Sequence, residues 1–111
     1  MSSEKVISLS KASFPSTLQA LQKPMVVDFW APWCGPCRIL SGLIDEMAEA
    51  HPEWVVAKVN IDEEPGLAEQ YDVMAIPTLI FFNAKGEVVD HSVGGITKHD
   101  LITKLEKAAQ N

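Results

Sequence analysis

An α/β domain built on a mixed β-sheet is the fold the sequence predicts, and three observations predict it. Strand-like and helix-like stretches alternate in the order β-α-β-α-β-α-β-β-α. The repeated strand–helix–strand units require a parallel portion. The last two strand-like runs are joined by a short turn, which adds an antiparallel edge. At 111 residues the chain reads as a single domain over 1–111. That length buries roughly two thirds of its unfolded surface without covalent staples.

Each element has a local reason. Val6 to Leu9 is a short apolar strand. Phe14, Leu18 and Leu21 mark a short helix, with Ser13 as its N-cap and Pro15 in its first turn, where no N–H is needed. Met25 to Ala31 is almost continuously apolar, as a strand covered on both faces should be. Ile39, Leu40, Leu43, Ile44, Met47 and Ala48 fall at helical spacing on one face of a long helix that ends at His51-Pro52. Trp54 to Ile61 is a β-rich run, and Pro65 to Tyr71 a short helix or turn. Thr78 to Phe82 and Glu87 to Ser92 form a hairpin around Asn83-Ala84-Lys85-Gly86. Thr97 caps a final helix with Asp100 reaching back, and Leu101, Ile102, Leu105 and Ala108 are its buried stripe.

Nine basic residues against fifteen acidic ones give a net charge of −6. Nucleic acid and anionic membranes need basic surfaces, so neither is expected as a partner. No apolar run approaches a membrane span. Met1-Ser2-Ser3-Glu4-Lys5 leads into a strand without the apolar core of an export signal, so the chain reads as cytoplasmic.

The only two cysteines stand three apart in Trp33-Cys34-Gly35-Pro36-Cys37. Such a pair can close a structural disulfide, supply half a zinc site or exchange disulfides. Chain length removes the need for a staple. In a reducing compartment a lone C-x-x-C is more often catalytic or metal-binding than structural. Zinc needs four ligands, and His51, His91 and His99 are not paired at ligand spacing, so no metal is expected. Thiol–disulfide exchange is left as the favoured reading.

The motif lies where a strand gives way to the long helix, a position open α/β sheets use for their sites. With Gly35 and Pro36 in the first helical turn, the two Cα atoms come to roughly 5–6 Å, within disulfide range. Cys34, at the helix N-terminus, has its thiolate favoured by unpaired N–H groups and should be the more exposed sulfur. It attacks a target disulfide. Cys37, one turn inside, stays protonated and then resolves the mixed disulfide. Asp28, between Val26-Val27 and Phe29-Trp30, is the candidate base, because burial raises a carboxylate's pKa toward neutrality. The plainer reading is a strand-end carboxylate facing water. Lys58, in Val55-Val56-Ala57-Lys58-Val59, either pairs with Asp28 or snorkels to the surface.

Asp28-Phe29-Trp30-Ala31, Trp33-Cys34-Gly35-Pro36-Cys37 and Ile76-Pro77-Thr78 together resemble the thioredoxin family, from about Val6 to Ala108. The resemblance implies the thioredoxin fold, a central five-stranded mixed β-sheet flanked by four α-helices. It implies a monomeric general protein disulfide reductase with no bound cofactor beyond its redox-active disulfide. Its partners would be disulfide-containing target proteins and a thioredoxin reductase, which alone would bring FAD and NADPH. Gly35 and Pro36 then match the pair that tunes the redox potential, with Lys58 beside Asp28. Pro77 matches a cis-proline, and Ile76 would offer its backbone to an extended substrate. Trp33, Ile61, Ala75, Ile76, Pro77, Val93 and Gly94 would form the substrate-binding patch, though each has a plain core or turn reading as well.

The sequence departs from that pattern at Gly42, where a kinking proline is common, at Ala75, where a glycine often precedes Ile76, and in a longer hairpin turn. A thiol oxidase or isomerase for secreted proteins usually carries His between the cysteines, which this chain lacks. A non-redox subunit role would use the apolar patch without the cysteines, and replacing Cys34 separates that role from catalysis.

Overall fold

The computed structural model describes residues 3–111; Met1 and Ser2, at the head of the segment read for an export signal, lie outside it. Nine elements follow in the expected order: β1 (Ile7–Ser8), α1 (Phe14–Ala20), β2 (Met25–Trp30), α2 (Gly35–Ala50), β3 (Val55–Asn60), α3 (Pro65–Gln70), β4 (Thr78–Phe82), β5 (Val88–Val93) and α4 (Lys98–Ala109). The five strands make one sheet in the order β1-β3-β2-β4-β5. β3 runs parallel to both β1 and β2, while β4 is antiparallel to β2 and β5. This is the thioredoxin arrangement, with its parallel half and antiparallel edge.

Strand periodicity divides the core into two layers. Val26, Val56, Leu79 and Phe81 face one side, against Leu40, Ile44 and Met47 of α2 and Leu101 and Leu105 of α4. Met25, Val27, Phe29, Val59, Ile80 and Phe82 face the other side, against Phe14 of α1 and Leu67 of α3. Even-numbered residues of β2 therefore point toward α2. Asp28 is one of them, and the register sets it opposite Lys58 of β3.

The structure corrects several local expectations. β1 has only two residues, both exposed, while the flanking Val6 and Leu9 are buried. Ser13 holds the N-cap position of α1, but its side chain makes no capping bond to the helix. Its hydroxyl accepts the Ser10 N–H at 2.9 Å, and its own N–H donates to the Ser10 hydroxyl at 3.1 Å. Ile39 is not on the buried stripe of α2; it is 83% exposed, whereas Leu40, Ile44, Met47 and Ala48 are buried and Leu43 is partly so. At the other end of the chain, the Thr97 hydroxyl accepts the Asp100 N–H at 3.1 Å, but the Asp100 side chain makes no return bond among the described residues. β5 begins at Val88 because Glu87 is spent in the turn. Asn83 Oδ1 accepts the N–H groups of both Lys85 and Glu87, and Asn83 Nδ2 donates to the Glu87 carboxylate.

Candidate functional site

Cys34 and Cys37 form a disulfide with their Cα atoms 5.3 Å apart. Cys34 is the N-cap of α2, with extended backbone, and Pro36 lies in the first turn. The Cys37 N–H donates to Cys34 Sγ at 3.2 Å, so the first sulfur sits on one of the free amides of the helix start. Cys34 is the more exposed of the two, as expected, but only slightly. Cys34 is 5% exposed and Cys37 2%. Ala31, Trp30, Ile61 and Ile76 close over them in a small apolar cluster. Gly35 and Pro36 remain exposed.

Behind the disulfide, Asp28 is 4% exposed, which removes the water-facing alternative. Its burial pushes its pKa up to about 7, with the Lys58 charge opposing that rise. Lys58 forms no ion pair with it within 4.0 Å. The ammonium instead lies over the Trp30 ring, 5.6 Å from its centroid. Asp28 Oδ1 and Trp30 Nε1 are buried without a hydrogen-bond partner among the described residues. A cavity of about 180 Å³ explains how both can be tolerated. Val6 and Ile44 line it together with Asp28, Trp30, Cys37, Arg38, Ser41, Asp45 and Lys58, so a largely apolar wall carries enough polar groups to bond water.

The residues expected to bind substrate fall into three groups. Ile61 and Ile76 pack on the disulfide cluster. Pro77 follows Ile76 through a cis peptide bond and is buried. The Gly94 N–H, at positive φ, donates to the Pro77 carbonyl at 2.9 Å, and Val93 pairs in register with Thr78 and is 60% exposed. Trp33 stands apart, 67% exposed, with its indole N–H on the Asp62 carboxylate. Ala75 is exposed, and its carbonyl accepts the Thr78 hydroxyl at 2.5 Å. Trp33, Ala75, Pro77, Val93 and Gly94 are thus outside the apolar cluster over the sulfurs, which takes in only Ile61 and Ile76 of the expected residues.

Sequence reasoning passed over four residues near the site. Asp62 holds Trp33. Arg38 donates to the Pro32 carbonyl at 3.0 Å, tying the turn before Cys34 to the first turn of α2. Ser41 and Asp45 line the cavity. Position alone could have flagged Ser41 and Asp45, which lie four and eight residues beyond Cys37 on one helix face. Among the described residues no group of His, Cys, Asp and Glu is arranged to hold a metal ion, and no helix is long and apolar enough to cross a membrane.

Comparison with known proteins agrees with this geometry. The thioredoxin family model matches residues 5–107. A thioredoxin of Pyropia yezoensis is 43% identical over 103 residues, covering 92% of this chain and 95% of the relative. A thioredoxin of Alicyclobacillus acidocaldarius is 43% identical over 105 residues, 94% of this chain and 98% of that protein. The chloroplastic M-type thioredoxin of Spinacia oleracea is 38% identical over 105 residues, covering 94% of this chain and 58% of that one. The protein belongs to the thioredoxin family, and Cys34 and Cys37 are the redox-active pair of a protein-disulfide oxidoreductase.

Proposed function

We propose that this protein is a general reductase of protein disulfides, with each residue of the site in a definite role. Cys34, as thiolate, attacks one sulfur of the target disulfide and expels the other as a thiolate, which takes up a proton. Cys37 then gives its proton to the Asp28 carboxylate and attacks Cys34 Sγ. The second target thiolate leaves, and Cys34 and Cys37 are left oxidised. The observation that carries this reading is the shared cavity of Asp28 and Cys37, directly behind a sulfur seated on the start of α2. It supplies an activated nucleophile in front and a proton acceptor near neutrality behind.

Gly35 and Pro36 stiffen the first turn and, with Lys58 beside Asp28, tune the potential of the couple. The target segment lies along the backbone at Ile76-Pro77, flanked by Trp33, Ile61, Ala75, Val93 and Gly94. Backbone pairing with apolar contact recognises many sequences weakly, which suits a general reductase. The protein acts as a monomer, is returned to the dithiol by a thioredoxin reductase, and works in the cytoplasm, where a dithiol donor can be kept reduced.

The test is reduction of insulin disulfides with dithiothreitol as electron source. The protein should catalyse it and Cys34→Ser should not; catalysis by the serine variant overturns the assignment. Cys37→Ser should accumulate mixed disulfides with its targets, because attack proceeds and resolution cannot.

A further inference from the structure

The methionines of the described residues divide sharply. Met25 and Met47 are 0% exposed, one in each core layer. Met74 is 93% exposed, more than any other large apolar side chain of the described residues. Burial of apolar surface stabilises a fold, so core packing accounts for Met25 and Met47. It does not account for Met74.

The position of Met74 is nonetheless fixed by its neighbours. Val73, one residue earlier, packs on the core, and its N–H donates to the Ala68 carbonyl of α3 at 2.8 Å. Pro77, three residues later, is buried at the entry to β4. Met74-Ala75-Ile76 is therefore a short bridge anchored at both ends. Ile76, its last residue, packs on the apolar cluster that holds Cys34 and Cys37. A solvent-open thioether thus stands two residues from a side chain that covers the disulfide.

We propose that Met74 is a peroxide-sensitive contact for target proteins. As a thioether it adds apolar surface for an apolar side chain of the target segment beside Ile76; as a sulfoxide it withdraws that surface. The inference rests on targets lying along Ile76-Pro77. Methionine suits such a contact because it is unbranched and polarizable, and so adapts to differing apolar partners. It is also an apolar side chain that hydrogen peroxide converts to a polar one.

In that step the Met74 sulfur attacks one oxygen of hydrogen peroxide. The O–O bond breaks and an S–O bond forms. The proton on the transferred oxygen passes to the departing hydroxide. The sulfur is oxidised to the sulfoxide, and the peroxide is reduced to water. Cys34 and Cys37, joined as a disulfide and almost covered, offer no thiol to the same reagent. Oxidation in that state therefore changes the docking surface and leaves the redox couple intact.

The experiment treats the full chain, in its disulfide form, with hydrogen peroxide, removes the excess with catalase and maps the peptides by mass spectrometry. Met74 should gain an oxygen atom at least about tenfold faster than Met25 or Met47, following exposure. The treated protein should reduce insulin with kcat/KM lowered about fivefold, from losing part of the burial of one apolar side chain. A small aromatic disulfide, which does not reach Met74, should be reduced at nearly the untreated rate. Met74→Leu keeps apolar bulk without the sulfur, so its insulin kcat/KM should be the same before and after peroxide. Oxidation of Met25 or Met47 as fast as Met74 overturns the proposal. So does an unchanged insulin rate once Met74 carries its oxygen, an equal loss on both substrates, or a loss in Met74→Leu as large as in the parent. Failure of the untreated protein to reduce insulin overturns the reductase reading itself, and the contact with it.

Discussion

The indole N–H of Trp33 points between the two oxygens of Asp62, 3.2 Å from Oδ1 and 3.1 Å from Oδ2. Trp33 is 67% exposed, so little packing holds its ring beside the first cysteine. A charged acceptor supplies what packing does not. Asp62→Ala should free the indole at a cost of about 1 kcal/mol, or roughly a fivefold fall in kcat/KM toward a protein disulfide. A small disulfide, which does not span the patch, should be reduced at nearly the parent rate. Equal losses on both substrates would mean that Asp62 acts on the cysteines rather than on docking.

Gly42 occupies an exposed mid-helix position in α2, and a Cβ built there meets no atom within 4 Å. Nothing in the fold requires glycine. Gly42→Ala should therefore stabilise the protein by about 1 kcal/mol through helix propensity alone. Denaturant unfolding measures this as a higher midpoint at constant slope. A loss of stability would show that α2 needs to bend at this point.

Gly86 is the opposite case. Its φ is +83°, and an added Cβ would stand 3.1 Å from the Leu18 carbonyl oxygen of α1. Gly86→Ala should cost roughly 1–2 kcal/mol from backbone conformation, with a further penalty if α1 cannot yield. Reductase activity should persist below the new melting point, because the turn is remote from Cys34. An unchanged melting temperature would mean that the hairpin shifts away from α1 at no cost.

What the sequence made legible follows from the range over which each signal acts. The order of elements was readable because strand and helix periodicity are local. Asp28 was found because a charge inside Met25 to Ala31 has few places to go but inward. Ile39 was misplaced for a related reason: helical spacing tells which residues share a face, not how far the neighbouring sheet extends along it. Ser13 was misread because Ser10, three residues earlier, competes for its hydroxyl. Asp62 is separated from Trp33 by 29 positions, and the cavity is closed by Val6, Asp28, Lys58 and one face of α2. No local pattern records that those segments meet. The cysteine chemistry was legible because its geometry is set within one helical turn, whereas part of the cover that leaves Cys34 only 5% exposed comes from Ile61 and Ile76, far along the chain.

Asp28 also sets a dependence of stability on pH. Burial raises its pKa from 3.8 to about 7 in the folded chain. A carboxylate with a raised folded pKa binds its proton more tightly in the native state than in the unfolded one. Folding is therefore unpenalised below the unfolded value, near pH 4, and loses stability as pH rises toward 7, above which the penalty is constant. The shift corresponds to about 4 kcal/mol at alkaline pH. Asp28→Asn removes the ionisation and keeps the shape. It should leave stability at pH 4 little changed, raise it by several kcal/mol at pH 8, and flatten the profile between. In the same variant, resolution of the mixed disulfide should slow more than its formation, because only the second step uses the carboxylate. Urea unfolding at a series of pH values measures the first effect and stopped-flow kinetics the second. A variant no more stable than the parent at pH 8 would show that the Asp28 carboxylate is solvated in the folded protein, and would remove the reason for its raised pKa.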